Sequence, residues 1–181
     1  MKRALIIGRF QPLHNGHIGI LEEIACEDYD EIIVGIGSAQ YAYSIKNPFS
    51  AGERFEMIKN SMKGSEKLSG NLSKFYIIPI PDIHNNMLWV AHVRSLLPGF
   101  DVVYSANPLV KRLFMDAGVP VVVHKLHNRD NLCGEHIRNI IVNSGDWRSL
   151  VPEEAAKIID KIGGVERLKD LSLIRDAEKN L

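Results

Sequence analysis

The sequence predicts an α/β protein built on a doubly wound parallel sheet of five strands. Five short runs that are apolar throughout alternate with segments whose apolar residues recur at helical spacing. Strands that are apolar on both faces are typical of a parallel sheet covered by helices on both sides, and right-handed crossovers make such a sheet doubly wound. The 181 residues suffice for a sizeable core. We expect one domain, 1–181, with the sheet and the site in about 1–138 and helices in about 139–181.

Local signals place the elements of this fold along the chain. Apolar runs predict five strands, at residues 4–7, 31–37, 75–78, 101–104 and 119–123. Helical spacing predicts helices around residues 18–25, 50–62, 87–97 and 108–116. Ser50 and Glu53 match a capping box that opens the second of these helices, and Gly118 is placed to end the fourth. From about Gly134 the chain is expected to be helical, with one helix opening at Pro152.

The overall charge and the apolar runs exclude several classes of partner. Lys+Arg and Asp+Glu both number 22, so the formal net charge is zero and we expect no nucleic acid or membrane partner. No apolar run approaches the roughly 20 residues that span a bilayer, and the short run after Met1 is not expected to be a signal peptide. Cys26 and Cys133 are far apart, which favours two free thiols in a reducing cytoplasm.

The segment GRFQPLHNGH, residues 8–17, joins the first predicted strand to the first predicted helix. The free N–H groups of a first helical turn attract anions, and Gly16 lets a phosphate approach the backbone. His14 and His17 face the same side because they are three positions apart, and Arg9 adds a guanidinium. One histidine at a helix start ordinarily binds nearby backbone. The pair favours a phosphate site, and a zinc site lacks a third ligand at a usual spacing.

The other phosphate-binding patterns are incomplete. The chain has no G-x-x-x-x-G-K-[ST] string, and in GIGSAQ a glutamine stands where a dinucleotide fingerprint needs its third glycine. In doubly wound sheets the ligand lies beyond the carboxyl ends of the strands. We therefore expect the segments that follow the strands to meet at one edge of the sheet. They are residues 8–17, 37–48, 79–89, 105–108 and 124–138.

The His-x-Gly-His string at residues 14–17 resembles the motif of the nucleotidyltransferase α/β superfamily. Together with GIGSAQ, NPFSAGER, NPLV and GDWRSLVP, it resembles the archaeal type of nicotinamide-nucleotide (NMN) adenylyltransferase, from Arg3 to about Leu168. The resemblance implies a Rossmann-like nucleotidyltransferase fold and a reaction of ATP with NMN that gives NAD and pyrophosphate. It further implies Mg²⁺ that bridges the phosphates with few or no direct protein ligands, and a homo-oligomer, a hexamer, in the cytoplasm.

The resemblance, with the anion chemistry above, assigns site residues. The catalytic residues are His14, His17, Arg9 and Arg138. The expected ATP-binding residues are Gly8, Arg9, Phe10, Gln11, His14, Gly16, His17, Asn107, Gly134 and Arg138. The expected NMN-binding residues are Ser38, Ala39, Gln40, Lys46, Asp82, Asn86 and Trp89. The NMN phosphate oxygen is already anionic, so catalysis needs positioning and charge neutralisation rather than a protein base.

The second superfamily motif falls on residues 133–138, CGEHIR. Gly134 and Arg138 match it. Cys133 and Glu135 replace the usual serine and threonine, so the hydroxyl that would contact a phosphate is absent.

Several of these assignments have an ordinary structural alternative. Trp89 is expected either to stack on the nicotinamide ring or to anchor the core with Val93. Asp82 and Asn86 either read the carboxamide or form a turn and cap a helix. Lys46 either binds the NMN phosphate or is merely solvated.

Two other functions stay open. Another enzyme of the superfamily would transfer an adenylyl or cytidylyl group to pantetheine phosphate or glycerol phosphate, although Trp89 and GIGSAQ favour NMN. A nucleotide sensor without catalysis would explain Cys133 and Glu135, although the intact histidines and arginines argue against it. Arg54 is expected either in the acceptor pocket or in a pair on the surface of its helix.

Overall fold

A computed structural model describes residues 1–124 and 132–178, with side chains as far as residue 174. Its strands are β1 Arg3–Gly8, β2 Glu31–Ile36, β3 Phe75–Pro79, β4 Val102–Tyr104 and β5 Val121–Val122. They form one parallel sheet in the order β3–β2–β1–β4–β5. The chain thus winds outward from β1 in one direction and then in the other, which confirms the predicted doubly wound α/β fold.

Helices connect these strands and continue after the last one. They are α1 Asn15–Ala25, α2 Ala51–Gly64, α3 Asn86–Leu96, α4 Pro108–Asp116, α5 Gly134–Val142, α6 Glu153–Lys161 and α7 Gly164–Glu178. Short 3₁₀ turns occupy Ser69–Lys74 and Arg148–Leu150. None of the helices described combines the length and the apolar character that crossing a bilayer requires.

The two faces of the sheet are buried in two separate apolar cores. Successive strand residues point to opposite faces, so Ala4 and Ile6 of β1 enter one core and Leu5 enters the other. The larger core lies under α1, α2, α5, α6 and α7, and the smaller one under α3 and α4. Ile33 and Val34 of β2 are both 0% exposed, which explains why the strands are apolar without alternation.

The start of α2 has the predicted capping box. Ser50 Oγ accepts from the Glu53 N–H at 3.3 Å, and Glu53 Oε2 accepts from the Ser50 N–H at 2.8 Å. The same carboxylate accepts two hydrogen bonds of 2.9 Å from Arg167 of α7. Arg167 therefore fastens α7 to α2, and Leu168 of the same helix is fully buried.

Three of the differences between the predicted and the observed boundaries have local reasons. β5 has two residues instead of five, because Pro120 before it has no N–H to donate and its carbonyl only accepts from Val103, at 3.0 Å. α3 begins at Asn86 because the Asn85 side chain caps it. Pro152 precedes α6 as its N-cap residue instead of lying in its first turn.

Candidate active site

A cavity of about 400 Å³ opens at the carboxyl ends of β1 and β4. These neighbouring strands lie where the direction of winding reverses, which is the ligand position expected of an open α/β sheet. The loop after β1, residues 105–108 after β4, His124 after β5 and the first turn of α5 line it. Three of the five segments predicted to meet at this edge, 8–17, 105–108 and 124–138, thus contribute in whole or part. Residues 125–131 of the last segment lie outside the described part of the chain.

His14 and His17 form a stacked pair at the start of α1, with ring centroids 3.6 Å apart and planes inclined by 26°. The His14 backbone N–H donates to His17 Nδ1 at 3.2 Å. Because Nδ1 accepts this bond, the proton of the neutral His17 ring belongs on Nε2. The Phe10 ring packs against His17 at a centroid distance of 4.7 Å and fixes its orientation. His17 therefore offers an N–H donor from its far edge.

Burial keeps both imidazoles neutral near pH 7. It lowers the pKa of His14 from 6.5 to about 4. The pKa of His17 is held well below its usual value by burial first and then by the neighbouring His14 and His124. No described residue forms a hydrogen bond with the buried Nδ1 of His14. Both imidazoles are thus neutral without a ligand, and a bound anion would favour their protonated form.

Two glycines leave room for these side chains. A Cβ on Gly16 would lie 3.1 Å from His14 Nδ1, so the glycine accommodates the folded-back imidazole as well as any phosphate. A Cβ on Gly134 would lie 2.7 Å from the Gln11 carbonyl oxygen, which is a clash with backbone. The first turn of α5 can pack against the loop after β1 only because residue 134 has no side chain.

Arg138 is buried to 7% exposure and lies at the base of the cavity. Its Nη1 donates to the Gln11 carbonyl at 2.6 Å, which ties α5 to the loop after β1. Burial and then the charge of Arg9 lower the pKa of Arg138. Within the described side chains, neither Arg9 nor Arg138 forms an ion pair with a carboxylate. Two guanidinium groups are thus available to a bound anion.

The helices that begin at the cavity are capped differently. Asn107 Oδ1 accepts from the N–H groups of Leu109 and Val110, at 2.9 and 3.2 Å, so this predicted ATP contact is the N-cap of α4. Cys133 occupies the N-cap of α5 without a side-chain hydrogen bond, which leaves the first N–H groups of that helix to a ligand. Glu135 is exposed in the same turn and lines the cavity.

Phe10 and Gln11, expected to bind ATP, shape the loop after β1. Phe10 is 1% exposed with φ of 49°, and its ring fills the space above Gly8. Gln11 Nε2 donates to the Phe49 carbonyl at 2.8 Å, and its Oε1 accepts from the Phe49 N–H at 3.0 Å. The Gln11 side chain thus holds the loop to the start of α2, and its contact with ATP stays a prediction.

The predicted NMN-binding residues lie outside this cavity lining, beyond the ends of β2 and β3. The Gln40 side chain donates to the Asp82 carbonyl at 2.7 Å and accepts from the Asp82 N–H at 2.8 Å. The Ala39 N–H donates to the Ile80 carbonyl at 3.0 Å. These bonds join the loops after β2 and β3 into one wall beside the cavity. Ser38 has φ of 50°, and Lys46 is exposed at the end of this wall.

Trp89 and Asn86 lie in the first turn of α3. The Trp89 ring is half-buried and packs edge-on against Phe114 at a centroid distance of 5.5 Å. Its contact with the smaller core matches the anchoring alternative, and stacking on a nicotinamide ring stays a prediction. Asn85 Oδ1 caps the helix by accepting from the Met87 and Leu88 N–H groups. The capping role considered for Asn86 therefore belongs to Asn85, and Asn86 is exposed.

Sequence reasoning missed His124 and left the position of Arg54 open between two alternatives. His124 is 8% exposed, lines the cavity and acts electrostatically on His17. Its position directly after a predicted strand was a usable signal. The surface position considered for Arg54 is wrong, because Arg54 is completely buried and donates to the carbonyls of Arg9 and Gly37. A single arginine one position after a capping box carries no such signal in the sequence.

The described side chains do not hold a metal ion by themselves. No group of three or more His, Cys, Asp or Glu residues among them is arranged to bind one. The charged side chains that line the cavity are Arg9, Arg138 and Glu135, and the two guanidinium groups together with the open N–H groups of α5 favour a bound anion. The residues therefore fit a polyphosphate and do not fit a metal held by the protein alone.

Comparison with known proteins agrees with this chemistry. The cytidylyltransferase-like family pattern matches residues 5–140. A nicotinamide-nucleotide adenylyltransferase of Methanothrix thermoacetophila is 49% identical over 172 residues, covering 95% of this chain and 97% of that protein. The protein of the same name from Archaeoglobus fulgidus is 48% identical over 170 residues, covering 94% and 97%.

A solved structure shares the fold at low sequence identity. It is a bifunctional NMN adenylyltransferase/ADP ribose pyrophosphatase from Francisella tularensis, complexed with AMP and Mn ion. The two chains align with a TM-score of 0.75 at 21% identity, covering 97% of this chain and 53% of that protein, so this chain spans about half its length. With the near-complete match to its curated relatives, the chain belongs to the cytidylyltransferase-like family and, within it, to the nicotinamide-nucleotide adenylyltransferases.

Proposed function

We propose that the protein transfers the adenylyl group of ATP to NMN, giving NAD and pyrophosphate. The observation that carries this proposal is the cavity at the ends of β1 and β4. It combines stacked neutral imidazoles, two guanidinium groups without carboxylate partners and the uncapped start of α5. Such a set stabilises negative charge on phosphates, and a covalent enzyme intermediate is not needed when the acceptor brings an anionic oxygen of its own. The name shared by relatives 48 and 49% identical supports NMN as the acceptor.

The reaction needs one displacement at phosphorus. A phosphate oxygen of NMN attacks the α-phosphorus of ATP, the new P–O bond forms, and the bond between the α-phosphorus and the bridging oxygen breaks. The electron pair leaves with pyrophosphate, and the attacking oxygen is already anionic, so no proton has to be removed. Catalysis then consists of holding the two phosphates in line and stabilising the charge that develops on the leaving group.

The described residues suit distinct parts of that displacement. His17 presents its Nε2–H to the α-phosphate, and His14 serves the outer phosphates. Arg9 and Arg138 neutralise the β- and γ-phosphates, together with the open N–H groups of α5. Arg138 also fixes the loop after β1 through the Gln11 carbonyl, so donor positions and loop geometry are set by the same contact.

The wall formed by the loops after β2 and β3 suits the acceptor nucleotide. In this arrangement Ser38, Ala39 and Gln40 contact NMN, Lys46 binds its phosphate, and Asp82 and Asn86 read the carboxamide. Trp89 would leave its edge-on contact with Phe114 or use its other face to stack on the nicotinamide ring. The hydrogen bonds between Gln40 and Asp82 support this assignment, because they give the wall a fixed shape.

Magnesium is proposed as part of the ATP substrate. It would bridge the phosphates and keep most of its waters, which is how Mg²⁺ is ordinarily bound with nucleotides. We further propose a cytoplasmic location, supported by the free thiols of Cys26 and Cys133. A hexamer is proposed from family resemblance, and light scattering on the purified protein measures it directly.

Pyrophosphate release tests the function. The purified protein is given ATP and Mg²⁺ with NMN, with pantetheine phosphate, with glycerol phosphate, or with no acceptor. We expect stoichiometric pyrophosphate and NAD with NMN alone. Release with pantetheine phosphate or glycerol phosphate instead would assign another member of the superfamily. ATP binding by calorimetry without release from any acceptor would assign a nucleotide sensor, and either result contradicts the proposal.

A further inference from the structure

Arg54, in the first turn of α2, is 0% exposed. Its guanidinium makes four hydrogen bonds, all to backbone carbonyl groups. Nη1 donates to Arg9 at 2.9 Å and to Gly37 at 2.8 Å, while Nη2 donates to Ser38 at 3.3 Å and Nε to Ser50 at 3.2 Å. One side chain therefore holds the loop after β1, the loop after β2 and the start of α2.

The charge of the neighbouring Glu53 offsets only part of what burial and Arg9 do to this guanidinium. The nearest acid along the chain, Glu53, is engaged by Arg167 in two hydrogen bonds of 2.9 Å. Within the described side chains Arg54 forms no ion pair. Burial and then the charge of Arg9 lower the pKa of Arg54 to about 10. A cation near a helix N-terminus is unfavourable as well, so its location is costly for the stability of the fold.

Arg9, Arg54 and Arg138 form one electrostatic group. The charge of Arg9 lowers the pKa of both other guanidinium groups, so Arg9 lies within electrostatic range of each of them. The outer two can meet a ligand at the cavity, and the inner one lies beneath the loops that carry the ligand-binding residues. The mutual repulsion of these like charges destabilises the unliganded site, and a bound anion would relieve it.

We propose that Arg54 is a positioning residue that sets the two substrate loops in one relative geometry. This inference rests on the proposed function, because it assigns the loop after β1 to ATP and the loop after β2 to NMN. By holding the carbonyls of Arg9, Gly37 and Ser38 inward, the guanidinium turns the adjoining N–H groups and side chains toward the substrates. The separation of donor and acceptor phosphates then depends on a single rigid fork.

The geometry predicts which kinetic constant responds. In-line attack requires the two phosphates to meet within a fraction of an ångström, and a misplacement of about 1 Å can cost roughly 10²-fold in rate. Each substrate still finds most of its own contacts on its own loop. Loss of the fork is therefore expected to lower kcat far more than it raises the KM of ATP or NMN.

The test compares Arg54→Lys and Arg54→Met with Met57→Ala as a matched control. Lysine keeps the charge and loses the planar fork, whereas methionine loses both. Met57 lies three residues further along α2, is 0% exposed and contacts the larger core rather than the loops. All variants are measured below their melting temperatures, and rates are normalised to the ATP-binding stoichiometry from calorimetry.

For Arg54→Lys we expect kcat to fall by about 10-fold, with both KM values within about threefold of wild type. For Arg54→Met we expect a loss of roughly 100-fold and a smaller rise in melting temperature on adding pyrophosphate. Met57→Ala is expected to melt at a lower temperature, because it leaves a cavity in the larger core. Its kcat per binding site should stay within about twofold of wild type, because the Met57 side chain contacts the core rather than the loops.

The outcomes separate this inference from the proposed function. Equal kcat per binding site in wild type, Arg54→Lys and Met57→Ala would overturn the role of Arg54 while leaving the enzyme assignment in place. A wild-type protein that releases no pyrophosphate would overturn the proposed enzyme function. The role of Arg54 would then be tested by comparing the rise in melting temperature that pyrophosphate causes in wild type and in Arg54→Met. Where Arg54→Met does not fold, the kcat of Arg54→Lys decides alone.

Discussion

His17 can be changed so that its two ring nitrogens are tested separately. Nδ1 accepts the His14 backbone N–H at 3.2 Å, and Nε2 is left to donate into the cavity. In His17→Asn the side-chain oxygen lies near the position of Nδ1 and nothing replaces the Nε2–H. In His17→Gln the longer amide reaches the region of Nε2 and the bond to the His14 N–H is given up.

The expected magnitudes differ for the two variants. Losing one well-placed donor to a transition-state oxyanion costs roughly 10²–10³ in rate, or about 2.7–4 kcal/mol. We expect that loss in kcat/KM for His17→Asn, with little change in stability. His17→Gln loses a backbone hydrogen bond worth about 1 kcal/mol, which lowers the melting temperature by about 2–4 °C in a chain of this size. Its turnover is expected to exceed that of the asparagine variant.

The assay is pyrophosphate release with ATP and NMN, beside thermal unfolding followed by circular dichroism. Retention of kcat/KM within a few-fold of wild type by a folded His17→Asn protein would refute the donor role. A melting temperature that falls equally in both variants would refute the assignment of the Nδ1 bond, because only the glutamine variant gives it up.

Three further outcomes are expected. Stability falls as the pH drops from about 6.5 toward 4, because the unfolded chain binds protons on His14 and His17 that the folded state excludes. His14 alone accounts for a loss of about 2 kcal/mol at pH 5 relative to pH 7, and His17 adds to it, so chemical denaturation should show a loss of that size or greater. Gly134→Ala places a Cβ 2.7 Å from the Gln11 carbonyl oxygen and should lower the free energy of unfolding by about 1–3 kcal/mol, which thermal unfolding measures as a lower melting temperature. Gly99→Ala, which has open space around it, should keep the wild-type melting temperature. Chelation by EDTA should stop pyrophosphate release and added Mg²⁺ should restore it, since we propose that the metal arrives with ATP; turnover unaffected by EDTA would contradict this.

The fold was predictable because its signals are local and repeated. Each apolar run became a strand near its predicted position, and 108–116 became α4 without any shift. The capping box of Ser50 and Glu53 formed with both of its hydrogen bonds. The ends of strands were harder to predict where they depend on a partner strand. β5 is short because β4 offers three residues to pair with and Pro120 cannot donate, a constraint that involves two distant segments.

The site was predictable where a motif marks it and not where tertiary contacts create it. Residues 8–11, His14, His17, Gly134 and Arg138 do line one cavity, as the superfamily motifs indicate, whereas Gly16 does not line it. Arg54 could not be placed, because its function depends on carbonyl groups that only the folded sheet brings together. Asn85 and Asn86 are adjacent and chemically identical, so the choice of the capping residue rested on where the helix begins, which sequence patterns leave uncertain by a residue or two.

The contact between Arg138 and the Gln11 carbonyl joins positions 127 residues apart. On the ribosome, at about 5–20 residues per second, the later partner is added roughly 6–25 s after the earlier one. The cavity can therefore close only after residue 138 has been added, well after the residues of its first half. A nascent chain that stalls before this point carries His14 and His17 without Arg138, so we expect nucleotide to stabilise the chain only after α5 has packed against the loop after β1.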